Sequence, residues 1–443
     1  MSHYKPYPAY RDSGVEWIGQ VPEHWDVKRL KYSVASCKNG VWGDDPVGNA
    51  TEDIPCVRVA DFDRDKLRVV LNDPTMRKVK DSERQGRILK YGDLLLEKSG
   101  GGEKQPVGCV VQYEDEHPAV CSNFIARIEV APEHSSSFVR NVHHALYCAR
   151  ITTNSINQTS GIQNLDQERY LNEFAAFPAM AEQKLIVSLV DRETTRIDAL
   201  ITKKTRFIEL LKEKRQALIT HAVTKGLDPN VPMKDSGVEW IGKVPAHWNV
   251  VQSRRLFEER RERAREGDVQ FTASQKYDVI PQTEFMEKEG RRVMLVGKGQ
   301  DILKHIEPGD FLISMRSFEG GLEECRGSGS VSSAYVPLIP VKWVWNPFFK
   351  YLFKSNGYIQ ALQSTSDLVR DGQALRFENF SKVSLLEIPI DEQKQISVAL
   401  DRETARIDLL ADKTQRSINL LKERRAAFIT AAVTGQIDLR ESA

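Results

Sequence analysis

The chain contains two stretches of its own sequence twice, and this duplication restricts the possible folds more than any other feature. Residues 12–25 return as residues 235–248, shifted by 223 positions. Residues 182–228 return as residues 392–438, shifted by 210 positions, with 27 identities in 47 aligned positions. Self-similarity over whole segments indicates duplicated structural units. We therefore expect two copies of one architecture in a single chain.

Two longer segments, about 26–181 and 249–391, lie between the repeats and resemble each other only in outline. We call them body one and body two. Strict repeats beside divergent bodies indicate that the repeats share one task, whereas the bodies perform two versions of another. We predict four regions, a domain and a helical region followed by a second domain and a second helical region: 1–181, 182–228, 229–391 and 392–443.

The longer repeat has the composition of a long α-helix. Between residues 182 and 223 it contains no Pro and no Gly, and Leu, Ile, Lys, Glu and Arg are frequent. Apolar residues recur every seven positions with a second apolar position beside them, the a/d pattern of a coiled coil over about five heptads. The first copy has Val190, Ile197, Leu211 and Leu218 with Ile186, Leu200 and Phe207; the second has Leu400, Ile407, Leu421 and Phe428 with Ile396 and Leu410.

Both copies interrupt this pattern at the same places, Lys204 with Thr414 and Glu193 with Glu403. The matched interruptions make the two copies each other's natural partners. We predict an antiparallel coiled coil within one chain, which would hold the bodies apart, with each helix ending near a glycine. At a rise of 1.5 Å per residue, roughly 40 residues make a rod of about 60 Å. A buried core helix is the alternative, which the sustained heptads and charged flanks disfavour.

The bodies have the short apolar runs and turn residues of mixed α/β (α+β) domains. In body one we predict strands within 56–60, 93–96, 108–112 and 119–130 and a helix over 137–152. In body two we predict a strand over 309–314 and a helix over 347–362. The predicted fold is two α/β domains, each followed by a long helix, with the helices paired.

Composition excludes several classes of protein. Lys plus Arg total 63 against 62 for Asp plus Glu, a net charge of +1, whereas a protein that coats nucleic acid unspecifically is usually far more basic. The six cysteines are scattered without a Cys-x-x-Cys pair, which argues against a zinc site and a disulfide scaffold. The sequence has no apolar run of the roughly 18 residues that a membrane span needs and no signal-peptide pattern at its start. We expect a cytoplasmic protein without a metal site.

Catalytic motifs are approached but not completed. Residues 237–244 have P-loop spacing, but Val244 replaces the Ser or Thr that binds Mg²⁺. Residues 346–349 resemble the Asn-Pro-Pro-Phe loop of amino-methyltransferases without its second proline, and an aromatic helix start is the preferred interpretation. Glu182 and Glu392 suit the positive ends of the helix dipoles. His24 and His247 lack other ligands, so we expect packed histidines. The sequence predicts a non-catalytic chain.

The order of motifs resembles the DNA-specificity subunit of type I restriction–modification enzymes over nearly the whole chain. Pro178 and Pro389 each precede a Glu-Gln pair that leads into a heptad helix, and the helices end in the segments 222–226 and 432–438. The bodies add Gly-Asp-Leu-Leu from residue 92, three glycines at 100–102 and the polar loop 158–165. Each motif is weak alone, but their order occurs twice.

This resemblance implies two target-recognition domains that bind the two halves of a split DNA sequence. Two non-identical bodies imply an asymmetric target, and a rigid rod implies a fixed gap between its halves. The resemblance also implies as partners double-stranded DNA, two methyltransferase subunits and restriction/translocase subunits. S-adenosylmethionine, ATP and Mg would then be bound by the partner subunits, and this chain would carry no cofactor.

Base reading requires bidentate donors and acceptors, Arg or Lys for guanine and Asn or Gln for adenine. The candidates in body one are Lys98, Ser99, Lys104, Gln105, Gln158, Ser160, Gln163 and Asn164. In body two they are Arg316, Ser317, Arg370, Gln373 and Arg376. The loop at 369–376 departs from its counterpart in body one by carrying two arginines, which suit guanine edges or phosphates.

Two alternatives remain open from the sequence. A coiled-coil scaffold whose bodies bind proteins would explain the duplication and the charge balance, but not the polar loops at equivalent places. A recognition subunit of a type IIB-like restriction enzyme would use a closely related mechanism. Only the sequences of the partner subunits separate that second alternative from a type I system.

Overall fold

A computed structural model of the chain describes residues 4–48, 52–158, 161–290, 302–314, 321–365 and 375–440. The chain forms two compact units. Unit 1 comprises residues 1–204 and 416–443, and unit 2 comprises residues 205–415. Each unit thus combines one body with parts of both long helices. Since this division cuts the helices instead of separating them from the bodies, the four predicted domain bounds stay a prediction.

Unit 1 builds its body mainly from short strands. Its elements, in chain order, are β1 Tyr10–Asp12, β2 Gln20–Pro22, β3 Asp26–Arg29, β4 Val34–Asn39, β5 Asp53–Val57, β6 Phe62–Asp63, β7 Arg68–Val69, β8 Met76–Lys78, α1 Asp81–Arg84, β9 Leu94–Glu97, β10 Ser99–Gly100, β11 Val110–Gln112, β12 Val120–Cys121, β13 Ile125–Val130, α2 Ser136–Cys148, β14 Ile156–Gln158, β15 Gln163–Leu165, α3 Gln167–Leu171 and β16 Phe174–Phe177. The long helix α4, Met180–Lys225, follows.

The central sheet of body one has six strands in the order β4-β13-β9-β11-β7-β6. Strands β13, β9 and β11 pair antiparallel, and β9 is buried along its whole length. Helix α2 packs on this sheet through Phe138, Val139 and Val142, and the core continues through Trp25 and Phe177. A separate three-stranded sheet, β10-β15-β14, lies beside it. That small sheet carries the polar loop that the sequence singled out.

Unit 2 repeats this plan with different loops. Its elements are β17 Met233–Asp235, β18 Lys243–Pro245, β19 Asn249–Gln252, β20 Phe257–Glu259, β21 Phe271–Ser274, β22 Asp278–Pro281, α5 Gln282–Glu289, β23 Lys304–Ile306, β24 Phe311–Ser314, β25 Glu323–Glu324, β26 Gly329–Val331, β27 Tyr335–Pro340, α6 Asn346–Phe353, α7 Asn356–Gln363, α8 Phe377–Lys382 and β28 Ser384–Glu387. The second long helix, α9, spans Ile390–Val433. Antiparallel strands β20, β27, β24 and β25 form the central sheet, against which the aromatic residues of α6 pack.

The α/β fold class and the two long helices are confirmed. The run 119–130 is two strands, β12 and β13, because residues 122–125 form a turn. The predicted helix over 347–362 is also two elements, since α6 ends at Phe353 and Ser355 stands at the N-cap of α7. Among the described residues, no helix combines the length and apolarity needed to cross a membrane.

The long helices pair antiparallel in each unit. In unit 1, Asp198 of α4 is 3.2 Å from Arg425 of α9, and the first turns of α4 share a core with the last turns of α9. In unit 2, Arg215 of α4 is 3.1 Å from Asp408 of α9. The two ion pairs are copies of each other, because the longer repeat aligns Asp198 with Asp408 and Arg215 with Arg425. At 46 and 44 residues, α4 and α9 are each about 65–70 Å long.

One set of positions is buried or half-buried in both helices, and we call it the seam. On α4 it comprises Val190, Thr194, Ile197, Ile201, Lys204, Ile208, Leu211, Arg215, Leu218 and Ala222. On α9 it comprises Leu400, Thr404, Ile407, Ala411, Thr414, Ile418, Leu421, Arg425, Phe428 and Ala432. These alternate steps of four and three residues are the heptad spacing of a coiled coil. The predicted positions Val190, Ile197, Leu211, Leu218, Leu400, Ile407, Leu421 and Phe428 all belong to the seam.

Two predicted interface residues do not belong to it. Leu200 is 41% exposed and Leu410 is 40% exposed, so their assignment to the paired face is wrong. Phe207, the neighbouring apolar position in the predicted pattern, is exposed as well. The second seam position lies four residues after Val190 or Leu400, where Thr194 and Thr404 stand, and not three residues after them. Polar residues occupy part of the true second position, at Thr194 and Arg215 on α4 and at Thr404 and Arg425 on α9, so the apolar pattern did not single it out.

Each long helix ends at a glycine in the left-handed conformation, as predicted. Gly226 and Gly435 have φ angles of 74° and 73°. A Cβ atom on Gly435 would collide with the Pro22 ring, and one on Gly226 would lie 3.4 Å from Trp248. The left-handed helix cap therefore favours glycine at both positions, and at Gly435 the close approach of Pro22 in the shorter repeat requires it as well.

Candidate nucleic-acid interface

The small sheet of unit 1 brings four of the predicted DNA-binding residues together. Strand β10 pairs with β15 so that Ser99 lies opposite Asn164, and β15 pairs with β14 so that Gln158 lies opposite Gln163. Side chains directly opposite each other in antiparallel strands share a face of the sheet. Ser99 and Asn164 therefore lie on one face, whereas Gln158 and Gln163 lie on the other.

The face with Asn164 carries groups suited to base recognition. The Ser99 hydroxyl donates to Asn164 Oδ1 at 2.5 Å, which fixes the orientation of the exposed amide. Lys98, which precedes Ser99 in the chain, is partly exposed, and its Nζ donates to Asn39 Oδ1 at 2.5 Å. The oriented Asn164 amide can serve an adenine edge, and the Lys98 ammonium group can serve a phosphate.

Gln163 has a different environment from its neighbour. It is 7% exposed, and its Oε1 accepts a hydrogen bond from the backbone N–H of Val107 at 3.2 Å. Gln163 thus holds the glycine-rich loop at 101–107 instead of facing solvent. Lys104 and Gln105 are exposed on that loop, whose tip is closed by mutual backbone hydrogen bonds between Gly102 and Gln105.

The predicted site of body two falls largely outside the described residues. This holds for Arg316, Ser317, Arg370 and Gln373, and for Ser160 in body one. Arg376 is described and is exposed at the N-cap of α8, where the Asn379 side chain accepts from the Arg376 backbone N–H at 3.0 Å. Its counterpart in body one, in the alignment that the longer repeat sets, is Asp166, which caps α3 with its own carboxylate.

The Gly-Asp motif of each body is structural. Arg127 binds Asp93 with its Nε at 2.6 Å, and Arg260 binds Asp310 in the same way at 2.6 Å. Each aspartate also accepts a backbone N–H from three residues earlier, which closes the turn before the central strand. Both carboxylates are buried and fully used inside their bodies, so they are not available to a ligand.

The Glu-Gln pairs join other parts of each unit to the long helices, which explains why the repeats are strict. The sequence alone did not predict this role. In unit 1, Glu182 accepts hydrogen bonds from the Trp25 indole N–H at 3.2 Å and from the Tyr7 hydroxyl at 2.8 Å. In unit 2, Glu392 accepts from the Trp248 indole N–H at 3.0 Å. These carboxylates join the shorter repeat to the start of each long helix. The only signal in the sequence was that the tryptophan and the glutamate are both kept in the two copies.

The neighbouring glutamines fasten each body to its helix. Gln183 accepts from the Ser135 N–H at 2.9 Å and donates to the Pro178 carbonyl at 2.9 Å. Gln393 accepts from the Trp345 N–H at 2.8 Å and donates to the Ile388 carbonyl at 2.7 Å. The same amide therefore ties the first turn of α2 or α6 to the first turn of a long helix.

The histidines of the repeats are not packed, contrary to the prediction. His24 and His247 are exposed, and their Nε2 atoms lie 3.0 Å and 2.8 Å from Glu182 and Glu392. They extend the same polar joints to the surface, because the adjacent tryptophans fill the interior.

The near-motifs of catalysis have structural roles. At the P-loop-like segment, the amide N–H groups of Gly237 and Val238 already donate to the Asp235 and Ser236 side chains. Residues 346–349 start α6, as predicted, with Phe348 and Phe349 buried. Within the described part of the chain, no group of three or more His, Cys, Asp or Glu side chains is placed to hold a metal ion.

A cleft between body and helices is lined by charges that are already paired. In unit 2, this cleft of about 510 Å³ includes Arg215, Lys350 and Lys354. Arg215 is bound to Asp408, and both lysines are bound to Asp278. The exposed polar cluster around Asn164 therefore remains the strongest candidate for a binding face.

Comparison with known proteins finds a relative that matches along nearly the whole chain. No established family profile matches the chain. The putative type I restriction enzyme MjaX specificity subunit of Methanocaldococcus jannaschii is 21% identical over 458 aligned positions, covering 96% of both chains.

Solved structures share the fold. A chain from a structural study of the assembly and conformational transition of the type I restriction–modification system matches with a TM-score of 0.67 and 14% identity, covering 93% of this chain and 98% of that one. The HsdS subunit of Thermoanaerobacter tengcongensis matches with a TM-score of 0.50 and 15% identity, covering 94% and 98%. The resemblance predicted from the sequence is confirmed: this chain is similar over nearly its whole length to a protein described as a putative type I restriction enzyme specificity subunit, and it shares the fold of a solved HsdS subunit.

Proposed function

We propose that this protein is the sequence-specific DNA-binding subunit of a type I restriction–modification complex. One body would read each half of a bipartite, asymmetric target, and the chain itself would perform no catalysis. The full-length likeness to a specificity subunit supports this assignment.

The observation that carries the proposal is the contrast between the repeats and the bodies. The joints at Glu182 and Glu392 are built alike, and the ion pairs of the seam are duplicated. The exposed loops differ, since Asp166 in one body corresponds to Arg376 in the other. A constant frame with two different polar faces is what an asymmetric split target requires.

We propose Lys98, Ser99 and Asn164 as the direct DNA-contacting group of body one. Gln158, on the other face of the small sheet, and Lys104 and Gln105, on the glycine-rich loop, are proposed as further contacts. Gln163 would then act by holding the loop. In body two we propose that Arg376 contacts DNA. Five further contacts are proposed from the sequence alone: Arg316, Ser317, Arg370 and Gln373 in body two, and Ser160 in body one. A scaffold without DNA reading does not explain why Ser99, Gln158 and Asn164 are grouped on one small sheet, with Lys98 next to it in the chain.

The long helices are proposed to set the gap in the target and to bind the partner subunits. Leu200 and Leu410 are exposed at equivalent positions, and so are Leu210 and Leu420, 46% and 64% exposed. Exposed leucines at the same positions of both repeats suit two identical partners. We infer two methyltransferase subunits that bring S-adenosylmethionine, and restriction/translocase subunits that bring ATP and Mg.

The proposal is tested by methylation mapping of the assembled complex. The chain would be co-expressed with the methyltransferase subunit encoded beside it, and modified sites would be sequenced. We expect one split, asymmetric target. Replacing body one, residues 26–181, with that of a relative should change one half of the target and leave the other half and the gap unchanged.

Different outcomes separate the alternatives. A complex that methylates DNA without sequence preference, or a chimera that alters both halves, would contradict modular reading. A partner that joins nuclease and methyltransferase in one polypeptide would identify the type IIB-like alternative.

A further inference from the structure

We propose that Phe124 reads the methyl group of a thymine in the half-site bound by body one. This inference rests on the proposed function and adds to it a residue that the sequence did not single out. It assigns an apolar contact to a face whose other candidate residues are polar.

Phe124 lies on a turn that hydrogen bonds fix on both sides. The turn joins β12 to β13, with the Ile125 N–H donating to the Ser122 carbonyl at 3.0 Å. On one side, the Phe124 carbonyl accepts from the Lys98 N–H at 2.8 Å. On the other side, the Gly40 N–H donates to the Ile125 carbonyl at 2.9 Å. The phenyl ring is nevertheless 53% exposed.

The turn is connected to the polar group described above. The Ser99 N–H also points to the Phe124 carbonyl, at 3.3 Å, and the Ser99 hydroxyl holds Asn164. Phe124, Ser99 and Asn164 thus belong to one hydrogen-bonded group on the surface. Single exposed apolar residues are common on proteins, so exposure alone would not single out Phe124. Its connection to Ser99 and Asn164 is what makes it a candidate.

Body two keeps the turn and changes the side chain. The Tyr335 N–H donates to the Ser332 carbonyl at 3.0 Å, as in the first copy. The residue aligned with Phe124 is Ala334, which stands at the same place in that turn. The same turn with a different side chain is expected where two bodies distinguish two half-sites.

The chemistry of the pair matches an A·T-rich step. In the major groove, Asn binds the N6 and N7 edge of adenine, and an apolar side chain packs against the C5-methyl group of thymine. Ser99 connects the two residues, since its hydroxyl orients the Asn164 amide and its N–H points to the carbonyl of the exposed Phe124, so the group offers both kinds of contact. The ligand is therefore a thymine next to the adenine that Asn164 would bind.

Deoxyuridine substitution tests this contact, because it removes only the methyl group. The assembled complex would be titrated against its mapped target, with each thymine of the body-one half-site replaced in turn. One methyl group is worth roughly fourfold in binding. We expect one replacement to weaken wild-type binding by about that factor, and Phe124→Ala to bind thymine and deoxyuridine duplexes equally.

Two controls accompany the titration. Tyr91→Ala removes another exposed ring, near the opposite end of β9, and should leave binding unchanged. Phe124→Leu keeps an apolar side chain and should keep part of the thymine preference. Deoxyuridine in the half-site of body two should act equally on wild type and on Phe124→Ala.

The outcomes distinguish the inference from the function on which it rests. If the wild-type complex shows no sequence preference, the proposed function fails. If it prefers its target but Phe124→Ala keeps the full thymine preference, the methyl contact is wrong. The methyl contact is also wrong if Phe124→Ala weakens binding to all duplexes equally while the thymine preference is unchanged, or if the wild-type complex shows no thymine preference.

Discussion

Buried polar side chains give body one a specific sensitivity to pH. His143 is fully buried, with its Nδ1 2.6 Å from the Tyr170 hydroxyl. Burial lowers the pKa of His143 to about 4, from an ordinary value of 6.5. Because the unfolded chain then binds the proton more readily, the stability due to neutral His143 is present above pH 6.5 and is lost as the pH falls towards 4.

We expect the free energy of unfolding to fall by about 2 kcal/mol between pH 7 and pH 5 on account of this residue. His143→Gln should remove that part of the pH dependence, which urea titrations at both pH values would measure. As a control, His117→Gln changes an exposed histidine and should leave the pH dependence of stability unchanged. Parallel pH profiles for wild type and His143→Gln would show that the imidazole is not the group that titrates.

Two adjacent residues of β15 should separate DNA reading from structure. Asn164→Ala removes an exposed amide, so we expect weaker discrimination within one half-site and unchanged stability. Gln163→Ala leaves the buried Val107 N–H without its partner, which costs about 1–3 kcal/mol of stability. Binding to single-base variants and thermal unfolding would be measured for both. Loss of discrimination in the Gln163 variant alone would reverse the two assignments.

The sequence pointed to a polar loop as the candidate site, but it could not tell which side chains of that loop are exposed. Gln163 and Asn164 are adjacent polar residues, and composition treats them alike. Successive residues of a strand point to opposite faces, and only the pairing of β15 with β10 tells which face is buried. The sequence did not single out Phe124, because Lys98 and Ser99 bind its backbone carbonyl, and backbone hydrogen bonds leave no pattern of residue types in a sequence.

At the scale of elements, the heptad pattern predicted the two long helices and the seam position of Val190 and Leu400. It did not predict the second seam position, where Thr194 and Thr404 stand. Thr404 is acceptable there because its hydroxyl donates to the Leu400 carbonyl at 2.7 Å. Arg425 is acceptable because Asp198 pairs with it. Because Thr and Arg interrupt the true position, the apolar pattern favoured the position one residue earlier, where Leu200 and Leu410 are exposed. Local hydrogen bonds and ion pairs across helices decide such positions, and neither can be read from periodicity.

Two neighbouring leucines on α4 test the corrected seam. Leu211 is 7% exposed and Leu210 is 46% exposed. Leu211→Glu buries an unpaired charge, so we expect a loss of about 3 kcal/mol in the free energy of unfolding. Leu210→Glu should change it by no more than about 0.5 kcal/mol, while weakening the binding of a partner subunit. Chemical denaturation and co-purification would measure the two effects, and equal destabilisation by both would refute the assigned face.

At the scale of the whole chain, the termini close unit 1 much as an internal segment closes unit 2. The Asp438 N–H donates to the Lys5 carbonyl at 2.8 Å, and Tyr4 packs on Phe428. Gln436 then donates to the carbonyl of Gln20 in the shorter repeat at 2.8 Å. In unit 2 the helix α4 continues directly through residues 226–235 into the second copy of that repeat.

A circular permutant should therefore fold and keep its target. Joining residue 443 to residue 1 through a short Gly-Ser linker, and opening the chain between Pro229 and Asn230, cuts an exposed segment without a described strand or helix. We expect a melting temperature within a few degrees of wild type and the same methylation target for the assembled complex. A second permutant opened inside α4 at Ile197 interrupts the buried seam and should fail to fold. Failure of the first permutant together with success of the second would mean that the chain ends, and not the continuous helices, hold unit 1 together.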